Sequence, residues 1–169
     1  MGFALAEEAA RQGALVKIIA GPVSIKLKNN TIERIDVSTA EEMFAETTRI
    51  FPSADVAILS AAVADFKPSK MEKEKIKKED GLKPIELIPT KDILSHLGKT
   101  KKKNQVLAGF ALETENEIKN AKIKLKNKNL DFIVLNSLKD KGAGFRHDTN
   151  KISIVDKQNK ISEFELKSK

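Results

Sequence analysis

Asp55-Val-Ala-Ile-Leu-Ser-Ala-Ala-Val-Ala-Asp65 decides the fold. Between two aspartates, residues 56–64 carry no charge. Such a run is too short to cross a bilayer, which takes roughly 20 apolar residues as a helix. It is the right length for a central parallel strand, Val56 to Val63, covered on both faces. In an open α/β sheet, ligands collect at the carboxyl ends of such strands, so Ala61 to Phe66 marks the first place to look for chemistry.

Working outward toward the amino terminus, Ser38 followed by Glu41 has the spacing of a capping box and opens a helix to about Arg49. Ile32 to Val37 reads as a short strand before it. Ala14 to Ala20 is a β-branched apolar run closed by Gly21-Pro22, a buried strand. Met1 to Gln12 is helical, with Phe3, Ala6, Ala9 and Ala10 on one face, and Gly13 stops it. A helix feeding a buried strand is half of a βαβ unit, so a strand is expected ahead of Met1.

Toward the carboxyl terminus, Lys67 to Lys83 holds seven lysines and four acids around Pro68 and Gly81, the composition of a mobile surface loop. Pro84 to Ile88 reads as a strand and Asp92 to Leu97 as a short helix. Val106 to Leu112 and Leu130 to Leu135 are further core strands. Between them Glu115 to Lys128 is helical, with Ile118, Ala121 and Leu125 facing in. Lys151 to Asp156 and Ser162 to Leu166 alternate around Gln158-Asn159-Lys160, the pattern of a β-hairpin. The chain is therefore expected to be one α/β domain with a Rossmann-like, mostly parallel mixed sheet and a C-terminal hairpin extension.

The formal charge of +7, from 31 basic and 24 acidic residues, attracts anions. With no Trp or Tyr, the aromatic platforms that single-stranded nucleic acid needs are scarce, so a phosphorylated small molecule fits better than nucleic acid. The absence of cysteine removes disulfides, thiolate metal sites and thiol nucleophiles. No membrane span or secretory leader is read, and the expected address is the cytoplasm.

Candidate site residues sit where strands end. Ala61 and Ala62 allow close approach to backbone, and so does Gly109, although tight sheet packing explains small residues equally well. Asp65, as a carboxylate at a strand end, must be solvated, paired or liganded, holding Mg²⁺ or a ligand amide or ribose, or else caps the following loop. Asn136 offers donors and an acceptor to a base or ribose, or closes a turn. Lys75, Lys77 and Lys78 pack three ammonium groups into four positions, a clamp for polyphosphate or a solvated linker. Lys124 and Lys128 lie i,i+4 on one helix face and repel unless an anion, or the helix C-terminus, relieves them. His96 and His147 lack partners at catalytic or metal spacing. From the residues alone, the protein binds an anionic, nucleotide-like ligand with its reaction unresolved. A nicotinamide-dependent oxidoreductase would need a glycine fingerprint that the sequence does not show. A non-enzymatic basic binding protein is the other alternative.

The succession Ala61-Ala62-Val63-Ala64-Asp65-Phe66, Lys75-Ile76-Lys77-Lys78, Gly109-Phe110-Ala111-Leu112-Glu113-Thr114, Ala121 to Lys128, Asn136, Gly144-Phe145 and Asn150 resembles phosphopantothenoylcysteine synthetase. Gly21-Pro22-Val23 and Thr39-Ala40-Glu41-Glu42-Met43 agree with it as well. The resemblance implies a ligase of coenzyme A synthesis: 4′-phosphopantothenate attacks a nucleoside triphosphate, CTP or ATP, carried with Mg²⁺, and cysteine then displaces the nucleotide. It implies that Ala61, Ala62 and Asp65 line the crevice and that Phe110 and Asn136 contact the nucleotide. By the same resemblance Lys75 serves formation of the acyl-nucleotide, Lys77 and Lys78 clamp phosphate, and Lys124 and Lys128 add phosphate or base contacts. It further implies a homodimer, and a domain whose first strand, phosphate loop and last helix lie outside this segment, which alone is then expected to be inactive or impaired.

Overall fold

The computed structural model describes residues 1–70, 74, 84–113, 115–137 and 149–168. The chain runs α1 (Gly2–Arg11), β1 (Lys17–Ala20), β2 (Glu33–Asp36), α2 (Ala40–Ile50), a 3-10 turn (Phe51–Ser53) and β3 (Val56–Leu59). It continues β4 (Phe66–Pro68), β5 (Leu87–Pro89), α3 (Ile93–Thr100), β6 (Val106–Glu113), α4 (Glu117–Asn127), β7 (Phe132–Ser137), β8 (Thr149–Asp156) and β9 (Ile161–Ser168). The main sheet has five strands in the order β3-β6-β7-β8-β9. Its first three strands are parallel, and β8 and β9 add antiparallel. The expected mixed α/β sheet with its C-terminal hairpin is present, and Asn159 turns that hairpin at φ 64°. A parallel β1-β2 pair and an antiparallel β4-β5 pair stand apart from the main sheet.

One face of the main sheet is the core. Leu107, Ala111, Ile133, Leu135 and Val155 pack there with Leu97 of α3 and Ala121 and Leu125 of α4. Because side chains alternate along a strand, the next residues face the other way. This corrects the expectation for β3. Ala57 and Leu59 pack toward the core, whereas Val56 and Ile58 are 55% and 48% exposed, so the strand is covered on one face only. It is also an edge strand of the sheet and ends at Leu59, four residues short of Val63.

Two local readings shift. The helix cap is Thr39, whose hydroxyl accepts from the Glu42 amide at 3.1 Å, while the Glu42 carboxylate accepts from the Ser38 amide at 2.7 Å. The capping box is therefore Thr39 with Glu42, one residue later than Ser38 with Glu41. Phe66–Pro68, assigned from sequence to the junction with the loop, is a strand that pairs with Leu87–Pro89. The remainder of the expected mobile loop lies mostly outside the described residues.

The amino end of the parallel strands is fastened by two buried polar side chains. Gln105 donates from Nε2 to the carbonyls of Phe51 (2.7 Å) and Ala54 (2.6 Å) and accepts from the Lys102 amide at 2.9 Å. Asp131 accepts from the Leu107 amide at 2.8 Å, from Lys101 Nζ at 2.7 Å and from Lys157 Nζ at 3.3 Å. Burial alone would raise the Asp131 carboxyl, but the Lys101 ammonium and the Leu107 amide outweigh it and hold it below the usual range. Gly98 packs α3 against the end of α4 so closely that a Cβ there would stand 1.9 Å from the Lys128 carbonyl oxygen.

Candidate functional site

With the amino end tied down, the carboxyl ends of β3, β6 and β7 are where backbone and side chains are presented to a ligand. At the tip of β3 the chain leaves the strand at Ser60. The first turn of α1 presses against it, for a Cβ on Gly2 would fall 2.7 Å from Ser60 Oγ. That approach sets the amino end of α1, with its partial positive charge, beside the β3 tip. Nothing in the local sequence pattern announces it.

Ala61 and Ala62 follow, both exposed, while Val63 turns back to the core. Thr90, just after β5, pins the segment, its hydroxyl donating to the Ala64 carbonyl at 2.6 Å and its amide to the Asp65 carbonyl at 2.9 Å. Asp65 thus lies beyond the strand, at the foot of β4, with its carboxylate exposed to solvent. Lys67 then ties β4 to α2 through an ion pair with Glu41.

Phe110 and Asn136 share the sheet face opposite the helices. Phe110 pairs with Val134 and Leu112 with Asn136 in register, while their neighbours Ala111 and Leu135 face the core. Asn136 is held by a residue to which sequence reasoning gave no role. Asn150 Nδ2 donates to Asn136 Oδ1 at 2.8 Å, which leaves the Asn136 amide free to donate. Asn150 itself is 7% exposed, and its own Oδ1 is buried without a hydrogen-bond partner among the described residues. An unpaired buried carbonyl is costly and therefore informative. Gly109, in contrast, resolves toward packing, since a Cβ there would meet Leu94 Cδ2 at 2.5 Å.

Lys124 and Lys128 lie on the helix-covered side, away from Phe110 and Asn136. Lys124 pairs with Glu113 at 2.5 Å, and Glu113 also accepts from Asn120 Nδ2 at 3.0 Å. Lys128 pairs with Asp92 at 2.8 Å, and Asp92 also caps α3 through the Ser95 amide at 2.9 Å. Burial acts to raise both carboxyls, but the lysine partners prevail and lower them. The i,i+4 repulsion on α4 is thus relieved by two carboxylates. Lys75, Lys77, Lys78 and His147 lie outside the described residues. His96 packs on Phe44 with ring centroids 4.9 Å apart. Two hollows stand out among the described residues, and neither is lined by Asp65, Phe110 or Asn136.

A family model for the "DNA/pantothenate metabolism flavoprotein C-terminal domain" matches residues 1–169. The Coenzyme A biosynthesis bifunctional protein CoaBC of Bacillus subtilis is 44% identical over the whole of this chain, which covers 41% of that protein. A protein of an unknown prokaryotic organism named "Cysteine/Cysteine sulfinic acid decarboxylase" is 56% identical, again over the whole chain and 47% of its own length. The chain thus spans less than half the length of these two curated relatives. The crystal structure of the C-terminal domain of a CoaBC protein superposes with a TM-score of 0.79, at 31% identity, over 97% of this chain and 71% of that one. A Cab2 mutant in complex with phosphopantothenate-cysteine shares the fold at a TM-score of 0.62 and 18% identity, over 80% of this chain and 47% of that one.

Proposed function

Because the chain belongs to the family of the DNA/pantothenate metabolism flavoprotein C-terminal domain, we propose that it carries the ligase that joins 4′-phosphopantothenate to cysteine in coenzyme A synthesis. The observation that carries this reading is the 44% identity to a CoaBC protein across every residue of the chain. In the first step the substrate carboxylate attacks the α-phosphorus of a nucleoside triphosphate, CTP by preference, and pyrophosphate leaves. In the second, the cysteine amine attacks the acyl carbon, the amide forms and the nucleoside monophosphate departs.

Ala61 and Ala62, with no bulk beyond Cβ, admit the ligand to the β3 tip, and the Asp65 carboxylate accepts hydrogen bonds from its amide or hydroxyl groups. Phe110 gives the nucleotide an apolar surface. Asn136, its carbonyl occupied by Asn150, turns its amide donors toward the base or ribose. Lys75 neutralises charge on the phosphates as the acyl-nucleotide forms, with Lys77 and Lys78 holding the departing pyrophosphate. Lys124 and Lys128 reach phosphate only by exchanging Glu113 and Asp92 for it. Mg²⁺ accompanies the triphosphate and shields its charge. A homodimer working in the cytoplasm completes the reading.

The test follows pyrophosphate release by the polypeptide that carries this chain, with 4′-phosphopantothenate, cysteine, Mg²⁺ and either CTP or ATP. Release dependent on 4′-phosphopantothenate is expected, and Lys75→Gln is expected to abolish it. Carbon dioxide release from cysteine sulfinate with no pyrophosphate formed would replace the ligase by a decarboxylase, as the name of the 56% identical relative has it. An unchanged rate in Lys75→Gln would remove the role given to that lysine.

A further inference from the structure

The lysines that the ligase reading uses leave another group unexplained, at the opposite end of the sheet. Where β6 and β7 begin, a hollow of about 560 Å³ is lined by Lys101, Lys103, Lys122, Lys126 and Lys157, with Asp131 its one carboxylate among the described residues. Asp131 is already spent on Lys101 and Lys157. Lys103, Lys122 and Lys126 have no ion pair or side-chain hydrogen bond among the described residues. Leu125 and Leu130, both buried, also line it, which places low-dielectric matter behind the charges and lessens their screening.

Structural explanations cover only part of the set. Proximity to a helix C-terminus accounts for Lys126, in the last turn of α4. It does not account for Lys122, in the body of the helix, nor for Lys103, which is not on a helix. Lys122 and Lys126 are spaced i,i+4, a like-charge pair that destabilises the helix. Unlike Lys124 and Lys128, they have no carboxylates to relieve them among the described residues. Three lysines with no ion pair among the described residues, lining one hollow, match an anion of several charges. Flexible lysines without arginine suit phosphate oxygens at varied positions better than a planar carboxylate.

We propose that this hollow is a second anion site, for a small molecule carrying two or more linked phosphates. Asp131 is five residues before Asn136 on β7, so the site is roughly 16 Å from the carboxyl strand ends and is independent of the ligase reading.

The experiment is an amide proton–nitrogen NMR titration of the full chain with inorganic triphosphate at about 0.15 M salt, where surface charges are largely screened. Saturable shifts are expected at the amides of 122–130 and 157–159. The triple substitution Lys103→Gln, Lys122→Gln, Lys126→Gln is expected to weaken them at least tenfold, with an unchanged urea midpoint. The triple arginine variant, which keeps the charge, should still bind. No saturable shift in this cluster, or equal affinity in the glutamine variant, overturns the site. Sulfate at matched ionic strength acting as well as triphosphate overturns it too, as would a short RNA binding tighter.

Discussion

Replacing Asp131 by Asn tests whether the amino end of the sheet is held by charge. The side chain of Asp131 is 12% exposed and that of its partner Lys101 is 10% exposed, so neither is well solvated. Asn keeps an oxygen where the Leu107 amide and Lys101 Nζ share Oδ2, but the Lys101 ammonium loses its counter-charge, and the new amide group at Oδ1 faces the Lys157 ammonium, donor against donor. A hydrogen bond to a charged group contributes about 1.5–3 kcal/mol, and stranding a buried partner costs more. Lying at the rim of an open hollow moderates this, so about 2–3 kcal/mol is expected at pH 7. With a urea slope of about 2 kcal/mol per molar, the midpoint falls by roughly 1–1.5 M. The pH dependence has a definite sign. The folded carboxyl titrates below its ordinary value, so its contribution is present above the unfolded pKa of about 3.9 and is lost as pH falls through the folded one. The gap between wild type and variant should hold from pH 7 to about 5 and narrow below about 4. A gap under about 0.5 kcal/mol at pH 7, or one that does not narrow in acid, would show that the Lys101–Asp131 pair is not what fastens the strands.

Other perturbations read separate joints. Gly98→Ala should cost more than Gly109→Ala in chemical denaturation, about 3 kcal/mol or more against 1–2, because the first meets a backbone carbonyl and the second a movable leucine methyl. Equal costs would refute the tight approach of α3 to the end of α4. Thr39→Ala should lower stability by about 1 kcal/mol, and Ser38→Ala by much less, which distinguishes the observed cap from the one read in the sequence. Asn150→Ala frees the Asn136 carbonyl, and a rise of about tenfold in the nucleotide KM is expected from one mis-set hydrogen bond of about 1.4 kcal/mol. A fall in stability with KM and kcat both unchanged would make Asn150 a packing residue only.

The sheet was legible because its strands are short apolar runs bounded by turn chemistry, and α4 because Ile118, Ala121 and Leu125 repeat at helical spacing. The failures have identifiable physical causes. An uninterrupted apolar run does not say where a strand stops. Val56 to Val63 reads as one element, yet the ladder with β6 ends at Leu59, opposite Gly109, and the chain then turns under the hold of Thr90. Nor does it say how many faces are covered, since that depends on which other elements lie above the sheet. The one-residue error in the cap arises because Ser38 and Thr39 both precede an acid by three residues, and only geometry chooses between Glu41 and Glu42.

For the candidate site, single-residue chemistry was readable and pairing was not. Lysine spacing on α4 announced a repulsion that needed an anion, but the anions turned out to be Glu113 from β6 and Asp92 from the start of α3, both distant in sequence. The Asn136–Asn150 contact likewise joins residues 14 apart across an antiparallel ladder. A side chain's type limits what it can bind, whereas its partner decides what remains available. By that argument Lys124 and Lys128, already neutralised, are poorer phosphate ligands than Lys122 and Lys126, which alternate with them along the chain and have no carboxylate partner among the described residues. Exchanging each pair for Gln separates the cases. Loss of Lys122 and Lys126 should leave stability within about 0.5 kcal/mol, as for solvated surface charges. Loss of Lys124 and Lys128 should cost more, because the largely buried Glu113 would keep its charge without its cation. If the two pairs cost the same, the ion pairs on α4 are incidental and the distinction between committed and free lysines has no energetic basis.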